Sequence, residues 1–175
     1  RLKPRLGRLL KEGFGQKRVR GRGLASWAHI MMFAGFMMLF LGTTLLEIDH
    51  LAVKVSEKFH FHHGWYYVIY EGALDVFGLL FILGISLFAW RRMRRPSSVG
   101  HRASDWAALG LFLGIGVTGY LVEGLRIVWD QPVGLALWCS PVGVGVAKFF
   151  AGMSDPASRS AHLAVWWVHS LMVFG

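Results

Sequence analysis

The stretch GLASWAHIMMFAGFMMLFLGTTLLEI, residues 23–48, decides the fold. It carries no Asp, Glu, Lys or Arg until Glu47, and one ionisable group, His29, lies just inside its start. A helix needs roughly 20 apolar residues to cross the hydrocarbon core of a bilayer, and this run supplies them. Three further apolar runs follow at 65–90, 106–129 and 161–175. The second and third are long enough to span, and the fourth is short. With 54% hydrophobic residues in a 175-residue chain and a mean hydropathy of +0.45, only the membrane class fits. The expected fold is an all-α integral membrane bundle of four transmembrane helices. Two segments organise it: a basic cytoplasmic or interfacial lead over 1–23 and the transmembrane bundle over 24–175. The last run stops in mid-pattern and the chain starts at Arg1, so further chain is expected on both sides.

The net charge of +9 raises the question of nucleic acid, but its placement answers otherwise. Residues 1–23 hold nine Lys and Arg, and 91–102 hold five. Both segments fall on one side of a four-span topology. That asymmetry is the positive-inside bias, which puts the lead and the 91–104 turn in the cytoplasm. The expected location is therefore a membrane crossed several times with the basic loops on the cytoplasmic side, with lipid as the surrounding medium and no nucleic acid partner. Leu2, Leu6, Leu9, Leu10 and Phe14 have amphipathic spacing that suits the membrane surface. Trp27, Trp65, Trp90, Trp106 and Trp129 fall at run ends, where interfacial aromatics belong. In the second outer loop, Pro132 and Pro141 bracket GLALWCSP, a short interfacial helix by composition.

Ionisable groups at membrane depth face the bundle interior and mark relays, ion paths or cofactors. His29, His162 and His169 are the candidates, because imidazole is the common protein ligand of cytochrome iron. For each, a hydrogen bond to a neighbouring carbonyl or an interfacial position is the plain alternative. His162 and His169 share one helix face with Trp166, about 10 Å apart. His29 and His169 differ in depth by roughly 10 Å in a core about 30 Å thick. Ligands of one iron lie at similar depth, so the two histidines are expected to serve different haems.

Glu71 and Asp75 lie one turn apart in the outer half of the second run, and Glu123 and Arg126 are three apart near the outer end of the third. The latter spacing forms an ion pair on one helix face. The functional reading of all four is a quinone pocket or proton path opening outward, since quinone chemistry couples electrons to protons. His60, His62 and His63 in FHFHHG have the composition of a metal site, with adventitious binding or solvation as the plainer reading. Gly114, Gly116 and Gly119 match GxGxxG, but inside an apolar run the spacing reads as close helix packing. Cys139 is the only cysteine and cannot ligate an iron–sulfur cluster alone, so any cluster lies outside this segment.

Several blocks carry a likeness: Arg18–Gly23 leading into Trp27–His29, Phe33–Gly35, Leu41–Thr43, Leu74–Gly78, Thr118–Arg126 (TGYLVEGLR), Ser140–Gly143 (SPVG) and His162–His169 (HLAVWWVH). Taken together the chain resembles the haem b membrane domain of the respiratory nitrate reductase gamma-subunit type. It looks closest to the version found with heterodisulfide-reductase-like and electron-transfer-flavoprotein:quinone iron–sulfur oxidoreductases. The resemblance implies a five-span module with two b haems. It implies electron transfer between a cytoplasmic iron–sulfur or flavoprotein partner and a menaquinone or ubiquinone pool. It matches His29 to a ligand of the cytoplasmic-side haem, whose mate lies beyond Gly175, and His169 to a ligand of the outer haem. Leu39 stands near the place where the nitrate reductase pattern has a second histidine, which departs from that pattern. The rival expectation is a haem-free membrane anchor or assembly module that docks a soluble partner through its basic face.

Overall fold

The computed structural model describes residues 23–94, 102–132 and 134–174, together with Gly7, Glu12, Gly13 and Gly21. The expected amphipathic positions of the basic lead lie outside the described residues. Six α-helices follow one another: α1 Leu24–Val55, α2 Gly64–Met93, α3 Ala103–Asp130, α4 Leu135–Cys139, α5 Pro141–Lys148 and α6 Asp155–Phe174. Among the described residues there is no strand. The first three helices are long and apolar enough to cross a membrane. The expectation of four crossing helices is thus met for three. Helix α6 opens with the polar turn Asp155–Ser160, and its apolar part starts only at Ala161.

Helix ends follow local chemistry. Residues 49–55 contain no Gly or Pro, so α1 runs on past the expected boundary at Ile48 and stops where Ser56 turns extended. Asp49 and His50 therefore sit on helix rather than in a loop. The expected loop shrinks to a 3-10 turn over Glu57–Phe59 and the irregular stretch His60–His63. Helix α3 ends on Gln131 in the left-handed region (φ 46°), directly before Pro132, which cannot continue a helix. Pro141 begins α5 at its first turn, where the missing N–H costs nothing. The GLALWC patch is the short helix α4, as its composition suggests.

Packing runs as a chain of neighbours: α1 on α2, α2 on α3, and α3 on α6, with α4 and α5 laid over α2 and α3. Ala28, Gly35, Gly42 and Asp49 recur every seventh residue and form the buried seam of α1. This repeat keeps one face against a partner helix. A Cβ on Gly35 would come within 2.6 Å of the Phe77 carbonyl, and one on Gly84 within 2.6 Å of the Met32 amide. The α1–α2 backbones therefore approach as closely as glycine allows, the way membrane helices associate. The GxGxxG glycines are spent on packing too. Gly114 faces Met172 of α6, Gly116 faces Ile82 and Phe81 of α2, and Gly119 faces His169.

The core is small. Phe81, Ile85, Leu125 and Ser158 are fully enclosed, whereas Phe40, Trp65, Ile69, Leu171 and Phe174 project outward. So much exposed apolar surface requires lipid or a partner. Hydroxyls inside the apolar helices are satisfied locally. Thr43 and Thr44 donate to the carbonyls of Leu39 and Phe40 at 3.0 and 2.8 Å, as a medium without water demands. At the opposite end of α2, Arg92 pairs with Asp105 of α3, and the Arg94 guanidinium lies 5.0 Å over the Trp90 ring.

Candidate functional site

Three of the sequence blocks converge on one carboxylate. Asp75, 4% exposed, accepts from the backbone amides of Val142 and Gly143 at 3.1 and 3.0 Å and from the Ser140 hydroxyl at 3.2 Å. Those amides are the orphan donors of the first turn of α5. A serine at the N-cap ordinarily accepts them itself. Here Ser140 turns its hydroxyl away, donating toward Asp75 and, at 3.4 Å, toward Glu123. Asp75 thus caps α5 from another helix, where the positive end of the helix dipole favours a carboxylate. Tyr120 donates to the Asp75 carbonyl, and Gly78 makes room for the Tyr120 ring. Gly143 is obligatory, because a Cβ there would meet Glu123 and Ser140 at 2.8 Å.

One turn away lies an ion-pair network. Arg126 grips Glu123 with two nitrogens, Nε at 3.1 Å and Nη2 at 2.8 Å. The same Nη2 reaches Glu71 at 2.9 Å, and Nη1 reaches Asp130 at 3.0 Å. The expected Glu123–Arg126 pair is therefore present and recruits Glu71 from α2. Tyr67 lies near Glu71. Glu71 and Asp75, adjacent on α2, divide their partners: Glu71 binds the guanidinium and Asp75 binds α5. One guanidinium cannot neutralise three carboxylates, so the network keeps surplus negative charge or holds a proton. Neither Ser140 nor the amides of α5 could be assigned to Asp75 from spacing, since 65 and more residues separate them.

The histidines of α6 are both anchored on α3. His162 Nδ1 donates to the Val122 carbonyl at 3.0 Å. His169 Nδ1 lies 2.9 Å from Thr118 Oγ1, whose own proton is committed to the Gly114 carbonyl at 2.7 Å. Thr118 must therefore accept from His169, which places the proton on Nδ1. In both residues Nε2 is the nitrogen left with a lone pair. That tautomer suits a ligating imidazole, whose other nitrogen is held by a carbonyl or hydroxyl. The Trp129 ring lies edge-on to His162 at 6.1 Å, with the Arg159 guanidinium 4.6 Å over Trp129. Trp166 packs against Trp167 and stays 39% exposed.

His29 stands apart from these groups, half-buried near the start of α1 with its ring parallel to Phe33 at 6.3 Å. Phe36 approaches Phe81 at 6.5 Å, and Phe81 approaches Phe112 at 6.3 Å. The aromatic stripe of α1 is thus linked across α2 to α3. Helices α1 and α6 do not pack on each other, so His29 and His169 are not brought together.

The histidines of the loop between α1 and α2 divide sharply. Asp49, 2% exposed, accepts from the amides of Phe61 at 2.8 Å and His62 at 3.3 Å and pairs with His60 Nδ1 at 2.8 Å. His62 is enclosed by Phe61, Tyr66, Tyr67 and Tyr70, the last with its ring 4.5 Å away and perpendicular. Neither ring nitrogen of His62 has a hydrogen-bond partner, and Asp49 Oδ2 lies 4.0 Å off, too far to count as one. Burial drives His62 below its ordinary pKa, and the Asp49 carboxylate only partly offsets this. His60 and His63 are exposed. Among the described residues no three of His, Cys, Asp and Glu converge to hold a metal ion. Asp49 was invisible as a site residue in the sequence, because its partners lie 11 to 13 residues on, across a turn.

No family model matches the chain, and no solved structure matches it. It is 32% identical over 170 residues to the EtfAB:quinone oxidoreductase of Syntrophomonas wolfei, covering 92% of this chain and 23% of that protein. It is 22% identical over 174 residues to the probable iron-sulfur-binding oxidoreductase FadF of Bacillus subtilis, covering 99% and 24%. A subunit of the dihydromethanophenazine:CoB–CoM heterodisulfide reductase of Methanosarcina thermophila is 27% identical over 139 residues, covering 73% and 50%. The chain thus spans about a quarter of the first two proteins and half of the third. The likeness to heterodisulfide-reductase-type and electron-transfer-flavoprotein:quinone oxidoreductases is a finding. It indicates a multi-pass membrane segment linked to electron transfer.

Proposed function

We propose that this chain is the haem b-carrying electron-transfer module of a membrane quinone-linked oxidoreductase. In this reading it passes electrons between a cytoplasmic iron–sulfur or flavoprotein partner and a menaquinone or ubiquinone pool, as its likeness to the nitrate reductase gamma type suggests. The observation that carries the reading is the anchoring of His162 and His169, each with Nδ1 bound to α3 and Nε2 spared. Two histidines two turns apart on one helix face, each with Nε2 spared, fit axial coordination. The aromatic stripe of α1 around His29 fits an apolar wall. Haem iron supplies one-electron exchange at a potential set by its axial ligands and surroundings. The residues do the rest. His169 and His29 serve as ligands at different depths, and Thr118 fixes the orientation of His169. Glu71, Glu123, Arg126 and Asp75 offer a buried acid–base network for the protons of quinone chemistry.

The reduced-minus-oxidised visible spectrum of the full-length protein in its membrane tests this. Haem b bands are expected, with His29→Ala and His169→Ala each removing or shifting a different component. Loss of one and the same component in both variants overturns the two-haem placement. A spectrum without haem b bands overturns the reading itself and leaves the basic-faced membrane anchor as the function.

A further inference from the structure

Among the described residues, His62 is the buried ionisable group whose position the haem and quinone reading leaves unexplained. Its side chain is 5% exposed and both ring nitrogens lack partners, which in a native fold calls for a reason. The FHFHHG motif already set it apart from its exposed neighbours. The groups that face it come from three elements. Asp49 and His50 come from α1, His60 from the connecting loop, and Tyr66, Tyr67 and Tyr70 from α2.

Those groups form a line of polar side chains, interrupted by a gap on either side of His62. Inward, the His62 and Tyr67 ring centroids stand 6.4 Å apart, and Tyr67 lies near Glu71 on α2. Glu71 meets Arg126, Arg126 grips Glu123, and Glu123 touches Ser140, which binds Asp75. Outward, Asp49 lies 4.0 Å from His62 Nδ1 and 2.8 Å from His60 Nδ1, and His60 is 47% exposed on its side chain. The line therefore starts at a buried carboxylate network and ends at an exposed imidazole. The other exits from that network are less suited. Asp130 on the same guanidinium is a carboxylate at the surface, but Arg126, which cannot release a proton, stands between it and Glu71. Tyr70 is turned aside, donating to the Gly42 carbonyl at 3.1 Å.

We infer that His62 is the relay by which protons pass between the Glu71–Glu123–Arg126 network and the outer aqueous face, with Tyr67 on its inner side and Asp49 and His60 on its outer side. Resting on the quinone reading above, the step balances simply. Oxidation of a quinol to the quinone releases two electrons to the acceptor and two protons. Each proton is taken up by a Glu71 carboxylate, crosses Tyr67 by exchange of its hydroxyl proton, and is accepted on one His62 nitrogen while the other returns to its neutral form by release toward Asp49 and His60. The reverse sequence serves quinone reduction. Transfer across the gaps on either side of His62 requires a bridging water or a turn of the ring. A neutral imidazole is the correct resting state for such a carrier, since it offers one acceptor and one donor at once. The aromatic enclosure excludes bulk solvent, so protons enter by this file and not around it.

His62 is a positioning and transfer group, so its test must separate relay from scaffold. With full-length protein in membranes and menadiol as the electron donor, His62→Gln is expected to slow haem reduction roughly tenfold or more, leaving the haem spectrum unchanged. External imidazole should restore the rate. Unchanged kinetics, or a loss that imidazole does not rescue, overturns the relay. A second measurement does not depend on haem or quinol: infrared hydrogen–deuterium exchange of the buried carboxyl band that Glu71→Gln removes. Slower exchange in His62→Gln than in the wild type supports the relay, and equal exchange overturns it. Wild-type protein lacking haem bands but showing slow carboxyl exchange in His62→Gln sinks the cytochrome reading and leaves the proton path standing.

Discussion

At the scale of single residues, what decides function is which nitrogen or oxygen is already spoken for. His62 is held neutral by burial, and this has a definite consequence for stability. Above about pH 6.5 the imidazole is neutral in both folded and unfolded chains and contributes nothing. Below that value the unfolded chain takes up the proton first, so stability falls with acidification until the lower folded pKa is passed. Thermal melts in detergent between pH 7.5 and 5 are expected to show this acid-side loss, with a smaller slope in His62→Gln. Equal slopes would show that burial leaves the His62 pKa the same in the folded and unfolded chains. Asp75 makes a second prediction. Asp75→Ala strands two amides of α5 and the Ser140 hydroxyl, at a cost of about 1–3 kcal/mol for a buried group left unsatisfied. Melting temperature reads the loss, and Asp75→Asn, which still accepts, should lose less.

At the scale of elements, glycines decide which helices can meet. Gly84 sits where a Cβ would strike the backbone of α1, whereas Gly110 has open space around it. Gly84→Val should therefore destabilise the α1–α2 pair strongly. Gly110→Ala should be neutral or stabilise by up to about 1 kcal/mol, because alanine is the better helix former. Comparable melting of the two variants would argue against the tight α1–α2 seam. The seven-residue spacing of Ala28, Gly35, Gly42 and Asp49 was present in the sequence, and so was the close-packing sense of Gly114, Gly116 and Gly119. Which helix each glycine faces was not, because one residue of offset turns a side chain by about 100° around a helix. The ends of α1 and the start of α6 were misplaced for a related reason. Hydropathy marks where a lipid-facing run stops, and the backbone continues helical until a residue such as Ser56 or Gln131 breaks it.

At the scale of the whole molecule, α1 and α6 stand at opposite ends of a chain of neighbours, with α2 and α3 between them. A haem held by the folded chain and not by the unfolded one is expected to stabilise the fold by mass action, by about 2.7 kcal/mol at a hundredfold excess over Kd. Protein produced under haem depletion should melt lower than loaded protein. Equal melting temperatures would argue that the fold binds no haem. By itself the sequence determined the membrane class, three of the spanning helices, the basic inner side as an expectation, and His29, His162 and His169 as groups needing a reason. It could do so because hydropathy, charge and residue type are local properties that the bilayer reads directly. The tertiary structure alone decided that Asp75 caps α5 and that Glu71 joins Arg126. It also decided that Thr118 sets the tautomer of His169 and that His62, not its two histidine neighbours, is buried beside Asp49. Each of these is a contact between residues far apart in the chain. Only the packing of helices whose rotation no local pattern specifies can bring them within reach of a hydrogen bond.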